Sequence, residues 1–227
     1  MVLIGPHEID KSDIFCQYVE NTGSKSLIGV FDLPAKDKQQ RILDAALAQF
    51  TQYGIQRTSM HDIAQKAEVS RASLYSYFKN KDEIFRSVSI GVHERLLVDV
   101  EAVLSGGDGA DLGERVFQAL FIRHSRFLTL VLDSSHGSEL EDEYSRLCGD
   151  VVANANAKFE ARLAGVFDAL LSSDSKHLGS GSLSPADAAR ILNLAAAGCK
   201  RGVKDAKEFE QRIRSLVGIY ITGLRAT

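Results

Sequence analysis

Arg71, Ser73, Tyr75 and Tyr77 stand at alternate positions in the stretch Arg71-Ala72-Ser73-Leu74-Tyr75-Ser76-Tyr77-Phe78. If the stretch is helical, Leu74 and Phe78, spaced i and i+4, suffice to anchor it. A guanidinium, a hydroxyl and two phenols, with the small Ala72 among them, are then left for water or for a partner. Donors and flat rings on so short a helix suit the major groove of double-stranded DNA. Arg71, Ser73 and Tyr75 are placed to meet base edges or the adjacent backbone. Other chemistry finds no comparable set. The histidines (His7, His61, His93, His124, His136, His177) do not cluster, no pair of candidate ligands has metal-binding spacing, and there is no nucleophile elbow or phosphate-cradling glycine loop. No catalytic residue, metal or cofactor is expected.

Such a stretch needs elements that hold it out to a partner. Before it, Ser59 is a hydroxyl N-cap, with Asp62 three residues on to complete a capping box. Ile63, Ala64 and Ala67 then form an apolar stripe, Ala67-Glu68-Val69 turns the chain, and Ser70 caps the next helix. Val69 and Leu74 are spaced as a hydrophobic staple. After it, Asn80 caps a further helix with Glu83 at N3, which sets Lys81 at a positive helix end suited to a phosphate. Ser59, Ser70, Tyr77 and Lys81 are the expected phosphate contacts. The same spacing also describes a plain packed helical pair with half-buried tyrosines, and spacing alone does not separate the two.

Residues 41–88 closely resemble the N-terminal DNA-binding domain of the TetR family of bacterial transcriptional regulators. The resemblance is carried by RILDAALAQFTQYG, TSMHDIA, VSRASLYSYF and NKDEIF. One departure is Glu68, where the family often has glycine; a left-handed residue there costs about 1 kcal/mol without a glycine. The resemblance implies a homodimer on a palindromic operator, with a helical second domain that binds a small-molecule effector and releases the DNA. A regulator controlled by a protein partner without a small-molecule pocket, or an activator, remains the alternative.

Composition agrees with an all-α protein. Only 3 prolines occur among 227 residues, and 44% are hydrophobic against 25% charged. No apolar run reaches the ~18 residues of a membrane span, and the N-terminus lacks the basic lead of a signal peptide, so a cytoplasmic location is expected. The formal net charge is −3, yet residues 36–90 hold nine Lys/Arg against six Asp/Glu. Phosphate responds to that local field. Three scattered cysteines, Cys16, Cys148 and Cys199, point to reduced thiols.

In chain order, residues 1–35 form an acidic N-terminal extension, expected to be disordered or loosely docked. Residues 36–88 form the helix-turn-helix domain, whose first helix (about 36–53) buries Leu43, Ala46, Leu47 and Phe50 and ends at Gly54. The fourth helix should run unbroken from Lys81 to about Leu104, a lever into a second domain of residues 89–227. Beyond the glycine-rich break at 105–109 the pattern gives helices over about 111–132, 139–171 (broken near Cys148-Gly149), 185–203 and 206–224, about nine in all.

The second domain offers an apolar or amphipathic effector the candidate pocket Phe117, Phe121, His124, Phe127, Tyr144, Asn154, Phe159 and Phe167. Leu192, Ala196, Leu216, Ile219, Tyr220 and Leu224 on the last two helices are candidates for the dimer interface. An intramolecular core could use the same residues.

Overall fold

The computed structural model describes residues 38–106, 111–173 and 183–226. The acidic extension, the charges of Lys36 and the tip of the glycine-rich break therefore lie outside the described residues, as does the polar segment 174–182. Residues 42–227 belong to one compact unit. Among the described residues the structure is all helical: α1 Lys38–Tyr53, α2 Met60–Lys66, α3 Arg71–Tyr77, α4 Lys81–Leu104, α5 Leu112–Asp133, α6 Gly137–Leu147, α7 Gly149–Ser173, α8 Pro185–Gly198 and α9 Ala206–Ala226.

Caps set the starts of the short helices. Ser59 Oγ accepts the Asp62 N–H at 3.2 Å, and Asp62 Oδ2 accepts the Ser59 N–H at 2.9 Å, which closes the expected box. Ser70 Oγ accepts from the Ser73 N–H at 3.1 Å, and Asn80 Oδ1 from the Glu83 N–H at 2.9 Å. Ser184 does the same for Asp187, with Pro185 in the first turn. The turn between α2 and α3 places Glu68 at φ 55°, so the left-handed position is real and filled without a glycine. Gly54, at φ 82°, ends α1.

Two apolar clusters organise the unit. One joins Ile42, Ala45, Ala46, Phe50, Ile63, Leu74, Phe78, Ile84 and Phe85 to Leu140, Cys148 and Val151. The core of the helix-turn-helix head is thus completed by α6 and the start of α7. The second, which includes Val100, Leu120, Phe159, Leu163, Phe167, Leu192, Phe209 and Ile213, fills the space between α4, α5, α7, α8 and α9. Helix α4 contributes to both clusters, and the division expected at residue 88 falls inside it.

Two local expectations change. The buried face of α1 is Ile42, Ala45, Ala46 and Phe50, with Leu43 and Leu47 only partly buried. Helix α8 ends at Gly198, well before Val203. Cys199 caps it, and the chain turns through Gly202 at φ 66°, because successive N–H groups at 199–201 pair with carbonyls three and four residues back and no longer propagate the helix.

Candidate nucleic-acid interface and regulatory cavity

Helix α3 buries a single side chain, Leu74. Arg71, Ala72, Tyr75, Ser76 and Tyr77 are exposed, Ser73 is half-buried, and Tyr75 and Tyr77 keep 48% and 38% of their surface in solvent. Large rings are normally covered when a core can take them, and two phenols are left bare on this one seven-residue helix. Its only anchors are Leu74 and Phe78, 0% and 3% exposed. Ser59 lies beside this surface, but its hydroxyl donates to Asp62 Oδ2 at 2.7 Å and is closed on its own cap.

Lys81 differs from the sequence expectation. Its ammonium turns back into the head, donating to the carbonyls of Ile55, Gln56 and Thr58 at 2.6, 3.1 and 3.3 Å. Three carbonyls converging on one point outcompete solvent for a long flexible cation. The exposed Lys79 is the lysine left beside α3.

The loop that Lys81 grips is held from other sides too. Thr58 Oγ1 donates to Gly54 O at 2.7 Å, and Glu139 Oε1 on α6 accepts the Gln56 N–H at 2.6 Å. Further ties bind the head to the second half of the chain. Arg86 on α4 forks onto both carboxylate oxygens of Asp150 at 2.8 and 2.7 Å and also donates to Leu147 O. That guanidinium holds the Asp150 carboxyl down at about 2. Arg146 reaches Asp82 at 3.2 Å, and Ser134 Oγ donates to Thr51 O at 3.0 Å.

Between these ties lies a cavity of about 180 Å³. Leu47, Phe50 and Thr51 of α1 form one wall, and Phe85, Val88, Ser89, Val92, His93 and Leu96 of α4 another. Arg123 and His124 of α5, Leu140 and Tyr144 of α6, Val152 and Asn156 of α7, with Ala197 and Lys200, complete it. His124 and Tyr144 of the expected pocket line it. Phe117, Phe121, Phe159 and Phe167 do not: they belong to the second core, with Phe117 stacked on Phe121. Asn154 is exposed, and Asn156, two residues on and turned to the other side of α7, takes its place. The Phe127 side chain lies outside what the structure describes. Sequence reasoning missed the walls from α1 and α4. The apolar stripe of α4 was visible, but nothing local says that it meets residues 140–144.

The polar groups of the cavity are deeply buried: Arg123, His93 and His124 are 8%, 7% and 4% exposed. His93 Nε2 lies 2.5 Å from the Tyr144 hydroxyl, and Arg123 donates to Asn156 Oδ1 at 2.7 Å. His124 Nε2 meets Asn193 Oδ1 at 2.9 Å, and Asn193 Nδ2 donates to Glu160 at 2.8 Å, so His124 carries its proton on Nε2. Burial, reinforced by the Arg123 and Lys200 charges, pushes His93 down to about 4; burial and the same two cations hold His124 well below the usual histidine range. Burial raises Tyr144 to about 12. Both histidines are therefore neutral and Tyr144 is protonated at neutral pH.

The candidate dimer residues divide. Leu192 and Ala196 are fully buried within the protomer, and Tyr220 donates to Ala188 O at 2.7 Å. Leu216 and Leu224 pack partly against the second core. Ile219 is 76% exposed, and next to the buried positions of α8 stand Ile191 and Leu194, 47% and 60% exposed. Burial raises both described cysteines, Cys148, whose Sγ lies 3.3 Å from Ser89 Oγ, and Cys199, and so disfavours the reactive thiolate.

A capped pair of short helices, a tight turn and a bare second helix define a helix-turn-helix protein. Residues 42–88 match the model of the bacterial regulatory proteins of the tetR family. Over those residues the chain is similar to that family. It is 38% identical over 50 residues to a protein of Escherichia coli K12 described as "Probable acrEF/envCD operon repressor", covering 22% of this chain and 23% of that one. It is 40% identical over 52 residues to the "Uncharacterized HTH-type transcriptional regulator YhgD" of Bacillus subtilis, covering 23% and 27%. The chain thus matches about a quarter of the length of these curated relatives. Solved structures extend the likeness of fold. A transcriptional regulator from Cytophaga hutchinsonii superposes with a TM-score of 0.67 at 18% identity, covering 83% of this chain and 98% of that one. SmeT, the repressor of the Stenotrophomonas maltophilia multidrug efflux pump SmeDEF, gives 0.57 at 21%, covering 83% and 90%. Among the described residues no helix is long and apolar enough to cross a membrane.

Proposed function

We propose that the protein is a DNA-binding transcriptional regulator that works as a homodimeric repressor of a palindromic operator and is released by a small-molecule effector. The observation that carries the reading is the outward face of α3, where Arg71, Tyr75 and Tyr77 are exposed while Leu74 alone is buried. In this reading Arg71, Ser73 and Tyr75 meet bases, Ala72 lets the helix approach the groove closely, and Tyr77, Ser70 and Lys79 meet the backbone, while Ser59 serves its own cap. Lys81 acts by fixing the loop before α2 rather than by touching phosphate.

A single α3 reads too few base pairs for a useful site, and two-fold symmetry doubles the read. The exposed Ile191, Leu194 and Ile219 on α8 and α9 favour those helices as the dimer surface, offset from the buried Leu192 and Ala196. The cavity favours a small molecule over a protein partner as the signal. Because Leu47, Phe50 and Phe85 line it, an occupant presses on α1 and α4, the helices that seat α3. Release requires only that the effector prefer the conformation that does not bind DNA.

The test is selection of duplexes from a random pool by the purified chain. Enrichment of a two-fold symmetric consensus, with half-sites about one helical turn or a multiple apart, is the expected result. Recovery of unenriched DNA, or of none, contradicts the reading.

A further inference from the structure

The charges around the cavity are unbalanced. Its described lining contains Arg123 and Lys200 but no Asp or Glu. Arg123 is 8% exposed, its guanidinium donates to the neutral Asn156 Oδ1, and its Nε has no hydrogen-bond partner. His93 is 7% exposed and its Nδ1 is likewise unpartnered. Its Nε2 shares a hydrogen bond with the Tyr144 hydroxyl. The nearest acids act only at a distance, Glu160 on Arg123 and Glu141 on Lys200, and Glu160 already accepts the Asn193 amide. A buried cation without an anion, beside a second cation and orphaned polar atoms, is costly to maintain unless the site binds what it lacks.

We infer that the cavity selects small amphipathic monoanions, with a carboxylate held by Arg123 and Lys200 and an apolar body against Phe50, Phe85 and Leu140. This rests on reading the cavity as the effector site and adds the chemical class of what enters it. A carboxylate accepts two N–H bonds from one guanidinium side, and here it would satisfy the orphaned Arg123 Nε. The unpartnered His93 Nδ1 is a further polar atom of the lining. Size narrows the class further. A cavity of roughly 150 Å³ suffices for a benzene ring, so one of about 180 Å³ takes a single ring or short chain with its headgroup. A cationic ligand of the same shape meets two unopposed positive charges and is excluded by them. A neutral one leaves the Nε unpaired.

The experiment is calorimetric titration of the full chain with phenylacetate, 2-phenylethanol and 2-phenylethylamine, three compounds of one shape and different charge. Phenylacetate is expected to bind about tenfold or more tighter than the alcohol, with the amine weakest. Arg123→Gln should remove that preference and Lys200→Gln reduce it, while Arg123→Lys, which keeps charge but not the fork, retains part. Melting of each variant without ligand establishes that it is folded. Equal affinity for the three compounds, or no binding of phenylacetate, overturns the inference. Equal affinity leaves the cavity a ligand site without charge selection. Failure of the duplex selection described above removes the regulator reading but leaves this titration standing.

Discussion

Glu139 Oε1 accepts the backbone N–H of Gln56 at 2.6 Å, across 83 positions of sequence. Glu139 precedes the cavity residue Leu140 on α6, and Gln56 lies in the loop that leads into α2. In the proposed reading, a shift of α6 by a bound ligand would pass through this contact to the loop before α2. Lys81 grips the same loop through three carbonyls, so the loop is clamped from α4 and from α6 together. Glu139→Ala should speed amide hydrogen exchange at Gln56 and cost about 1.5–3 kcal/mol in urea unfolding, the range for a hydrogen bond to a charged group. Unchanged exchange at Gln56 would mean the contact does not hold the loop.

Lys79 and Lys81 should separate into a DNA contact and a structural residue. Lys79→Ala is expected to lower the slope of log affinity against log salt by about 0.9, one phosphate, with unfolding unchanged. Lys81→Ala is expected to destabilise the fold by about 1–3 kcal/mol, because three loop carbonyls lose their donor. The reverse pattern would show that the Lys81 ammonium leaves the loop for phosphate.

Tyr75 and Leu74, neighbours on α3, should fail in opposite ways. Tyr75→Ala removes a side chain that is 48% exposed and should abolish binding to the selected duplex within about 0.5 kcal/mol of native stability. Leu74→Ala empties a fully buried site and should cost about 2–5 kcal/mol of stability. Urea melts read against fluorescence anisotropy check both.

The neutral histidines set an acid limit. His93 has a folded-state pKa of about 4 against 6.5 unfolded, so the unfolded chain binds the extra proton in between. Its contribution is fully present above about pH 6.5 and is lost as pH falls toward 4, by about 3 kcal/mol at the bottom of that window. His124 acts in the same direction. Melting temperature should thus fall steadily between pH 6.5 and 4, and His93→Gln should flatten the slope.

Ile219 and Leu194, 76% and 60% exposed, carry the dimer prediction. Ile219→Arg should give a folded monomer in sedimentation, since no protomer contact is lost. A dimer that survives both Ile219→Arg and Leu194→Arg would place the interface elsewhere.

Much of the head was legible because its signals are local. The caps at Ser59, Ser70 and Asn80 and the anchors Leu74 and Phe78 each depend on residues within four positions, so spacing alone specified them. Position was legible for Lys81 but rotamer was not: whether a long side chain points at solvent or folds onto the Ile55 carbonyl depends on a loop 26 residues away. The face of α8 was assigned by composition, and Leu192 and Ala196 turn inward while Ile191 and Leu194 turn out. One position on a helix is about 100° of rotation, more than composition resolves. The cavity was least legible. Phenylalanines at 117, 121, 159 and 167 have the pattern of a pocket and of a core alike, and only long-range contact of α1 with α6 decides where space is left.

The central claim is that α3 lies against DNA, and photocrosslinking tests it most directly. With Tyr75 replaced by p-benzoylphenylalanine, irradiation on the selected duplex should attach the chain to DNA within a half-site, and the same probe at Leu194 should not. Attachment from position 194 with none from position 75 would contradict the account.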